Sequence, residues 1–227
     1  MRNILFASLF IMSLVIKLSG QEVVSGQPLT NSTDSLSYSF GLLIGNNLLV
    51  QEVKEISQDL FMAGFSNGYS GQQPALTIET ANQYIQDYFN RQVSEEATMN
   101  LQKSNAFLAE NQAKEGVVTL ASGLQYKIIT PGKGDFPLAT DQVRVHYHGT
   151  FIDGKVFDSS IDRNEPIVFG VNQVIPGWTE ALQLMQPGAR WMLYIPPALA
   201  YGEQGAGGVI GPNLALIFEV ELIEIVK

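Results

Sequence analysis

Cysteine is absent from this chain of 227 residues, and only two histidines occur. Without thiols the chain can form no disulfide and can carry no lipid on a cysteine, so its stability must come from packing. Zinc sites draw their ligands mainly from Cys and His, and His146 and His148 alone are too few for such a set. No metal site is therefore expected, and no motif indicates a cofactor.

Basic residues are also scarce. The 13 Lys and Arg stand against 22 Asp and Glu, which gives a formal net charge of -9. Nucleic-acid binding depends on neutralising phosphates with Lys and Arg. The composition therefore argues against a nucleic-acid partner and is typical of an acidic, soluble protein surface.

A long hydrophobic run is missing as well. The N-terminal apolar stretch, Ile4 to Ile16, is shorter than the roughly 20 residues of a membrane-spanning helix. It follows Arg2 and precedes Ser19 and Gly20, an order typical of a secretory signal peptide. Residues 1–20 are thus predicted to be a cleaved signal that exports the protein to the periplasm or the cell exterior. The alternative is an uncleaved anchor.

Residues 21–33 are rich in small and polar side chains and are predicted to form a flexible tether. Residues 34–76 have helical periodicity, and a stripe of small residues, Ser37, Gly41 and Gly45, follows one face of the first helix. Glycine lowers helix stability by roughly 1 kcal/mol relative to alanine. We interpret the stripe as a surface for a helix of a second subunit, which predicts a homodimer. The alternative is that one glycine ends the helix early.

A long connecting helix is predicted next, in residues 77–115. It begins at a Thr77 cap and runs to about Glu115, with a mostly polar second half. A helix that is polar on nearly all sides often bridges two domains. We therefore interpret it as a spacer, and a broken pair of ordinary helices is the alternative.

After Gly116 the pattern changes to short strands separated by turns, with one short helix between Gly177 and Met185. Residues 116–227 are therefore predicted to form an antiparallel sheet wrapped on one short helix. The whole chain is predicted to be an α+β protein, in which an all-α N-terminal module and the long connecting helix precede this sheet domain.

Aromatic residues from five separate segments stand out in the sheet domain, and one carboxylate, Asp158, directly follows Phe157. A buried carboxylate needs a partner, for which the Tyr147 hydroxyl is suited. No nucleophile elbow supports a hydrolase built on Asp158, His146 and Ser160. The stretch 205–208 lacks the lysine of a phosphate loop and is interpreted as a mobile hairpin. These aromatic residues with a single carboxylate are typical of an apolar pocket that acts on a bound group without covalent chemistry. The alternative is that they form an ordinary hydrophobic core.

Six motifs carry a resemblance to a known family. They are S-G-L-Q-Y (122–126), V-H-Y-H-G-T (145–150), D-G-K-V-F-D-S-S (153–160), V-I-P-G-W (174–178), L-A-Y-G (199–202) and L-I-F-E-V-E-L (216–222). On these motifs, residues 118–225 resemble the FKBP-type peptidyl-prolyl isomerases. The segment S-Y-S-F-G-L-L-I-G (37–45) and the long helix resemble the dimerisation module of the macrophage-infectivity-potentiator-type subfamily.

The resemblance implies two sets of site residues. The catalytic set is Asp158, Tyr147, Ile175, Tyr201 and Phe218. The substrate-binding set is Phe157, Val174, Trp178, Ile167, Phe169 and Ile210. Trp178 is implied to be the pocket floor, and the Ile175 N–H and the Tyr201 hydroxyl are implied to bind substrate carbonyls. Ile167 and Ala206 depart from the small single-domain members, which have an aromatic wall and a flap histidine there.

The implied function is peptidyl-prolyl cis-trans isomerisation of exported proteins during folding, together with chaperone activity. Rotation about an X-Pro bond passes through a twisted amide, with a barrier of roughly 18–20 kcal/mol. An apolar pocket with one or two donors can favour that twisted state. The implied partners are proline-containing polypeptides, macrolide-type inhibitors and a second copy of the chain. The alternative is a non-catalytic, proline-binding chaperone or adhesion scaffold.

Overall fold

The computed structural model describes residues 29–226 and, nearer the N-terminus, the backbone of two short strands. These strands, β1 (Val15–Leu18) and β2 (Gln21–Val24), pair antiparallel. Apart from the backbone of β1, the predicted signal peptide lies outside the described residues, and its cleavage stays a prediction. The chain divides into two compact units, Met1–Ala75 and Leu76–Lys227.

Two helices form the described C-terminal part of the first unit, α1 (Ser32–Val50) and α2 (Gln58–Ser70). The helix α1 begins two residues earlier than predicted, because the Asn31 side chain accepts a hydrogen bond from the Asp34 N–H at 2.9 Å and caps the helix. The helix α2 begins after the predicted Ser57 cap. The two predicted helices are therefore present, and the flexible tether over residues 21–33 stays a prediction, since residues 25–28 lie outside the described part of the chain.

The glycines of the small-residue stripe lie inside α1 and do not end it. A groove of 280 Å³ runs beside them, lined by Gly41, Ile44, Gly45, Leu48, Ile56, Gln58, Phe61 and Met62. Other large apolar side chains of the two helices face solvent, such as Leu43 and Leu60, which are 65% and 74% exposed. A contiguous exposed apolar surface of this kind is typical of a site of protein association.

The second unit begins with α3 (Ile78–Asn111), one uninterrupted helix of 34 residues. The Thr77 hydroxyl accepts a hydrogen bond from the Thr80 N–H at 3.1 Å, as the predicted cap requires. The helix ends at Asn111, before the predicted Glu115. It is continuous, so the alternative of a broken pair of helices is wrong. Among the helices that the structure describes, none is long and apolar enough to cross a membrane.

A seven-stranded antiparallel sheet and one short helix, α4 (Pro176–Leu182), form the rest of this unit. The strands are β3 (Val117–Thr119), β4 (Gln125–Thr130), β5 (Gln142–Phe151), β6 (Val156–Ser159), β7 (Ile167–Gly170), β8 (Arg190–Ile195) and β9 (Leu216–Val226). Their order is β3-β4-β8-β9-β5-β6, and β7 also pairs with β5. This architecture matches the predicted α+β class.

The core lies between the sheet and α4. Along β5, Val143, Val145 and Tyr147 are buried, while His146 and His148 on the opposite face are half-buried. The two faces alternate as the period of a strand requires, which the sequence predicted.

The C-terminal half of α3 packs on the sheet. The Asn111 side-chain amide donates to Gln125 Oε1 at 2.9 Å, and the Gln125 amide donates to the Leu108 carbonyl at 2.8 Å. The Phe107 ring lies 6.1 Å from that of Tyr194, centroid to centroid. From its sequence the helix is predicted to be a spacer, with a domain boundary at residue 116. That boundary stays a prediction, since α3 and the sheet here form one compact unit.

Candidate active site

One cavity of 480 Å³ opens on the face of the sheet that carries α4. It is lined by Tyr147, Phe157, Asp158, Phe169, Gln173, Val174, Ile175, Trp178, Tyr201 and Phe218. These residues come from β5, β6, β7, α4, β9 and the loops between them. The volume lies in the range of cavities that hold small ligands or side chains.

Trp178, in the first turn of α4, forms the floor. Its ring meets those of Tyr147, Phe169 and Phe218 edge to face, with centroids 5.4, 5.9 and 5.2 Å away. Such edge-to-face pairs fix the orientation of aromatic rings. Glycine is required at residue 177, because a Cβ there would lie 2.6 Å from an Ile195 methyl group. The floor is therefore rigid and its indole is 4% exposed.

Phe157 and Phe218 form a wall whose position depends on Gly149 of β5. The two rings pack edge to face with centroids 5.4 Å apart. A Cβ at Gly149 would lie 2.7 Å from the Phe157 ring and 2.9 Å from the Phe218 ring. The rings thus occupy the space that a side chain would need, and Gly149 is necessary for the shape of the wall.

Asp158 is the carboxylate of the cavity, and two donors hold it. The Tyr147 hydroxyl donates to Asp158 Oδ2 at 2.5 Å, and the Arg163 guanidinium forms an ion pair with Oδ1. Arg163 also donates to the Tyr147 oxygen at 3.0 Å. Burial by itself would raise the pKa of the Asp158 carboxyl, but the two hydrogen bonds and the charge of Arg163 outweigh it and leave the pKa below its usual value. Asp158 is therefore ionised at neutral pH.

Comparisons with known proteins identify the family. The profile of the FKBP-type peptidyl-prolyl cis-trans isomerase domain matches residues 133–223, and the profile of the domain amino-terminal to it matches residues 33–128. The peptidyl-prolyl cis-trans isomerase Mip of Coxiella burnetii is 44% identical over 217 residues, which cover 92% of this chain and 94% of that protein. The chain belongs to the FKBP-type peptidyl-prolyl cis-trans isomerases.

Two further relatives extend the comparison. The outer membrane protein MIP of Legionella longbeachae is 45% identical over 210 residues, with 88% of each chain covered. The crystal structure of FkpA from Escherichia coli has a TM-score of 0.72 at 33% identity, and covers 87% of this chain and 98% of that one. The predicted family, the isomerase activity and the α+β fold class are thereby confirmed.

Two donors line the cavity of this FKBP-type isomerase, the Ile175 backbone N–H and the Tyr201 hydroxyl. The Ile175 residue caps α4, and its own N–H donates to no acceptor among the described residues. The Trp178 indole N–H also has no acceptor in the described part of the chain, but its nitrogen is buried and a carbonyl bound in the cavity cannot reach it. Tyr201 is 39% exposed at the rim. A bound carbonyl could therefore accept hydrogen bonds here without displacing an internal partner.

The lining of the cavity differs from the predicted set at three residues. Gln173 lines it but was missed, since an exposed glutamine beside a turn has no distinguishing pattern. Ile167 and Ile210 were predicted to bind substrate and pack on the same core instead, outside the lining. Ile167 pairs with Val145 in the sheet, and Ile210 is held by a backbone bridge to Ala206. Substrate contact by these two isoleucines stays a prediction.

Arg163 was also missed by sequence reasoning. It follows Asp158 by five residues in an exposed turn, and only the path of that turn directs its guanidinium back to the carboxylate. An unpaired carboxylate among aromatic residues is a signal that a cation lies near. The sequence alone does not say which cation that is.

The hydroxyls beside the two histidines have structural roles. His146 Nδ1 lies 3.0 Å from Ser160 Oγ, which accepts the Tyr147 N–H at 2.8 Å and is fully buried. His148 Nδ1 lies 2.9 Å from Ser159 Oγ. Ser159 and Ser160 are both buried and neither lines the cavity, so neither hydroxyl can reach a substrate bound there as a nucleophile. Within the described residues no group of three His, Cys, Asp or Glu could hold a metal ion.

Proposed function

We propose that this isomerase rotates X-Pro bonds in the cavity above Trp178 without forming a covalent bond to the substrate. The observation that carries the proposal is an aromatic floor and walls beside an Ile175 N–H that has no partner among the residues the structure describes. The proline ring would lie on the indole, and the carbonyl before it would face the donors. The twisted amide loses resonance and is less polar than the planar one, so an apolar enclosure favours it.

The donors at Ile175 and Tyr201 are proposed to act mainly on the rotated state. A donor that meets the carbonyl only after rotation stabilises the transition state without tightening substrate binding. A 10⁴-fold acceleration requires roughly 5.4 kcal/mol at about 1.36 kcal/mol per decade. Two hydrogen bonds in a dry site, together with loss of solvation of the planar amide, can supply an effect of that size.

Asp158 is proposed to hold the Tyr147 ring in place and to give the cavity one polar end. The hydrogen bond from Tyr147 and the ion pair with Arg163 fix the carboxylate from two sides. Burial and the Asp158 hydrogen bond raise the pKa of Tyr147, against the opposing effect of Arg163. The phenol therefore stays neutral and remains a donor. A macrolide-type inhibitor would compete for the same cavity.

The pH dependence of catalysis tests this mechanism. The usual pKa values are about 3.9 for Asp and about 10 for Tyr, and here the first is lowered and the second raised. We expect kcat/KM for a short X-Pro peptide to be constant between about pH 5 and pH 9, with or without a metal chelator. On the acid side the rate should decline as the pH falls through the lowered pKa of Asp158, where the ionised carboxylate and its stabilisation of the fold are lost.

A protease-free assay of cis-trans relaxation measures this profile directly. A step in the rate near neutral pH would assign the chemistry to a histidine and overturn the proposal. Loss of activity on adding the chelator would do the same, because it would require a metal that the mechanism does not use.

We further propose that the chain is a homodimer through α1 and α2. The groove beside Gly41 and Gly45 is apolar, and no described atom lies within 4 Å of a Cβ built at either glycine. Space of this kind allows the backbone of a second helix to approach closely. The similarity to FkpA of Escherichia coli over 87% of the chain supports the proposal.

Replacing Gly41 with leucine should separate the subunits without unfolding them. A Cβ at this position meets nothing within 4 Å in the described chain, and leucine improves helix propensity, so we expect the new side chain to clash with a partner helix and not with its own subunit. We expect the dissociation constant of the dimer to rise by at least about tenfold. Light scattering across a concentration series measures the change. The matched control is Asn46→Leu on the opposite side of α1, and equal effects of the two variants would contradict the proposed surface.

Export and client handling complete the proposal. The N-terminal segment has the composition of a signal peptide, and one relative carries the name outer membrane protein MIP. We infer that the chain acts in the periplasm or outside the cell, on proline-containing polypeptides that fold there. A dimer with two cavities could also act as a chaperone by binding one such polypeptide at two places.

A further inference from the structure

The loop that follows the rim tyrosine is closed by its own backbone. We call residues 201–213 the rim loop. Its ends meet where the Asn213 N–H donates to the Gly202 carbonyl at 2.8 Å, and its tip is a hairpin in which Ala206 and Ile210 exchange two backbone hydrogen bonds. Gly202 directly follows Tyr201 in the chain. The hydrogen bond from Asn213 to Gly202 therefore fixes the backbone beside Tyr201, whose side chain lines the cavity.

Side chains and a carbonyl of α3 hold the base of the rim loop. Ser104 Oγ donates to the Asn213 carbonyl at 2.9 Å and accepts the Ala215 N–H at 2.8 Å. The Asn100 amide donates to the Pro212 carbonyl at 2.9 Å, and the Asn213 amide donates to the Ala97 carbonyl at 3.3 Å. Ser104 is fully buried and Asn213 is 8% exposed, so water cannot replace these partners easily.

The loop needs such support because its own sequence does not define one conformation. It contains five glycines, at 202, 205, 207, 208 and 211. Glycine has more conformational freedom to lose than any other residue. Asn213 itself adopts a left-handed φ of 54°, which asparagine tolerates better than most residues but which still requires stabilising contacts. The hydrogen bonds from α3 supply such contacts to Asn213 and its neighbours from outside the loop.

We propose that Ser104 and Asn100 of the long helix are positioning residues for catalysis. Asn100 and Ser104 donate hydrogen bonds to the Pro212 and Asn213 carbonyls. The Asn213 N–H in turn bonds Gly202, and the position of Gly202 fixes that of Tyr201 at the rim. The long helix is thus part of the catalytic unit and not only a connector between modules. The route through Tyr201 rests on the function proposed above for its hydroxyl, whereas the anchoring of the loop does not.

The test compares Ser104→Ala with Asn111→Ala in the full chain. Both replace a fully buried polar residue of α3, but Asn111 bonds Gln125 in the sheet and does not touch the rim loop. We expect Ser104→Ala to lower kcat/KM for an X-Pro peptide by about fivefold and to speed amide hydrogen exchange in residues 202–213. Asn111→Ala should leave both within about twofold of the wild type. Asn100→Ala, at a less buried position, should act as Ser104→Ala does if that variant folds poorly.

The outcomes separate the two parts of the proposal. Equal rates and equal loop exchange in Ser104→Ala, Asn100→Ala and Asn111→Ala would overturn the positioning role. A Tyr201→Phe/Ser104→Ala double variant should lose less than the product of the single losses, because both act on one hydroxyl. If Tyr201→Phe alone has no effect while Ser104→Ala does, the route through Tyr201 is overturned and the function proposed for that hydroxyl fails, but the loop anchor stands.

Discussion

Replacing Asp158 with alanine is expected to lower kcat/KM for a short X-Pro peptide by about tenfold to a hundredfold. Hydrogen bonds to charged groups contribute about 1.5–3 kcal/mol, and each 1.36 kcal/mol is about tenfold in rate. Without the carboxylate, the Tyr147 hydroxyl loses its acceptor at 2.5 Å and Arg163 loses its ion pair. The Tyr147 ring, which contacts Trp178 edge to face, would then be free to move.

The matched control is Asp162→Ala. This acid lies four residues further along, is exposed, and only its backbone N–H takes part in the site, through Ser159 Oγ at 3.0 Å. The cis-trans relaxation rate of an X-Pro peptide is measured with both variants, and circular dichroism confirms that both are folded. An Asp158→Ala enzyme as fast as Asp162→Ala would mean that the carboxylate has no part in catalysis.

The second large effect is expected in client handling. We predict that the second compact unit alone, residues 76–227, keeps most of its activity on a short peptide and loses much of it in proline-limited refolding of a protein. A short peptide fills one cavity, which lies wholly within this unit. A folding client can meet both cavities of a dimer, and linking two weak sites raises apparent affinity by roughly 10²–10⁴-fold when the geometry permits both contacts.

Both rates are measured for the full chain, the 76–227 unit and the Gly41→Leu variant. The variant keeps every residue of the first unit except one, so it separates loss of the dimer from loss of helices that bind clients by themselves. If all three proteins refold the client at equal rates, α1 and α2 have no role in client handling.

Several features of this fold follow from local pattern, which the sequence displays in full. The alternation in β5 predicts that Tyr147 points inward, and the Thr77 and Ser57 caps predict where α3 and α2 begin. The contact between Tyr147 and Asp158 was predictable because a carboxylate placed among aromatic residues requires a polar partner and few were available. Each of these features is determined by residues close in sequence or by one strong physical requirement.

Tertiary structure alone decided which residues complete the site. Arg163 reaches Asp158 only through the path of a turn, and Gln173 lines the cavity although no pattern in the sequence marks it. The contact of Ser104 with Asn213 joins residues 109 positions apart, and no local pattern encodes a pairing at that separation.

The sequence by itself determined the α+β class through its periodicity and the isomerase family through its motifs, because both are local properties. The resemblance to that family implied nine of the ten residues that line the cavity. The structure decided that the long helix belongs to the same compact unit as the sheet and that it holds the rim loop. A helix with a largely polar surface has the same sequence pattern whether it stands free or anchors a loop through buried Ser and Asn side chains. The difference depends on which backbone groups of a distant segment are left without partners, and only the folded chain brings those groups together.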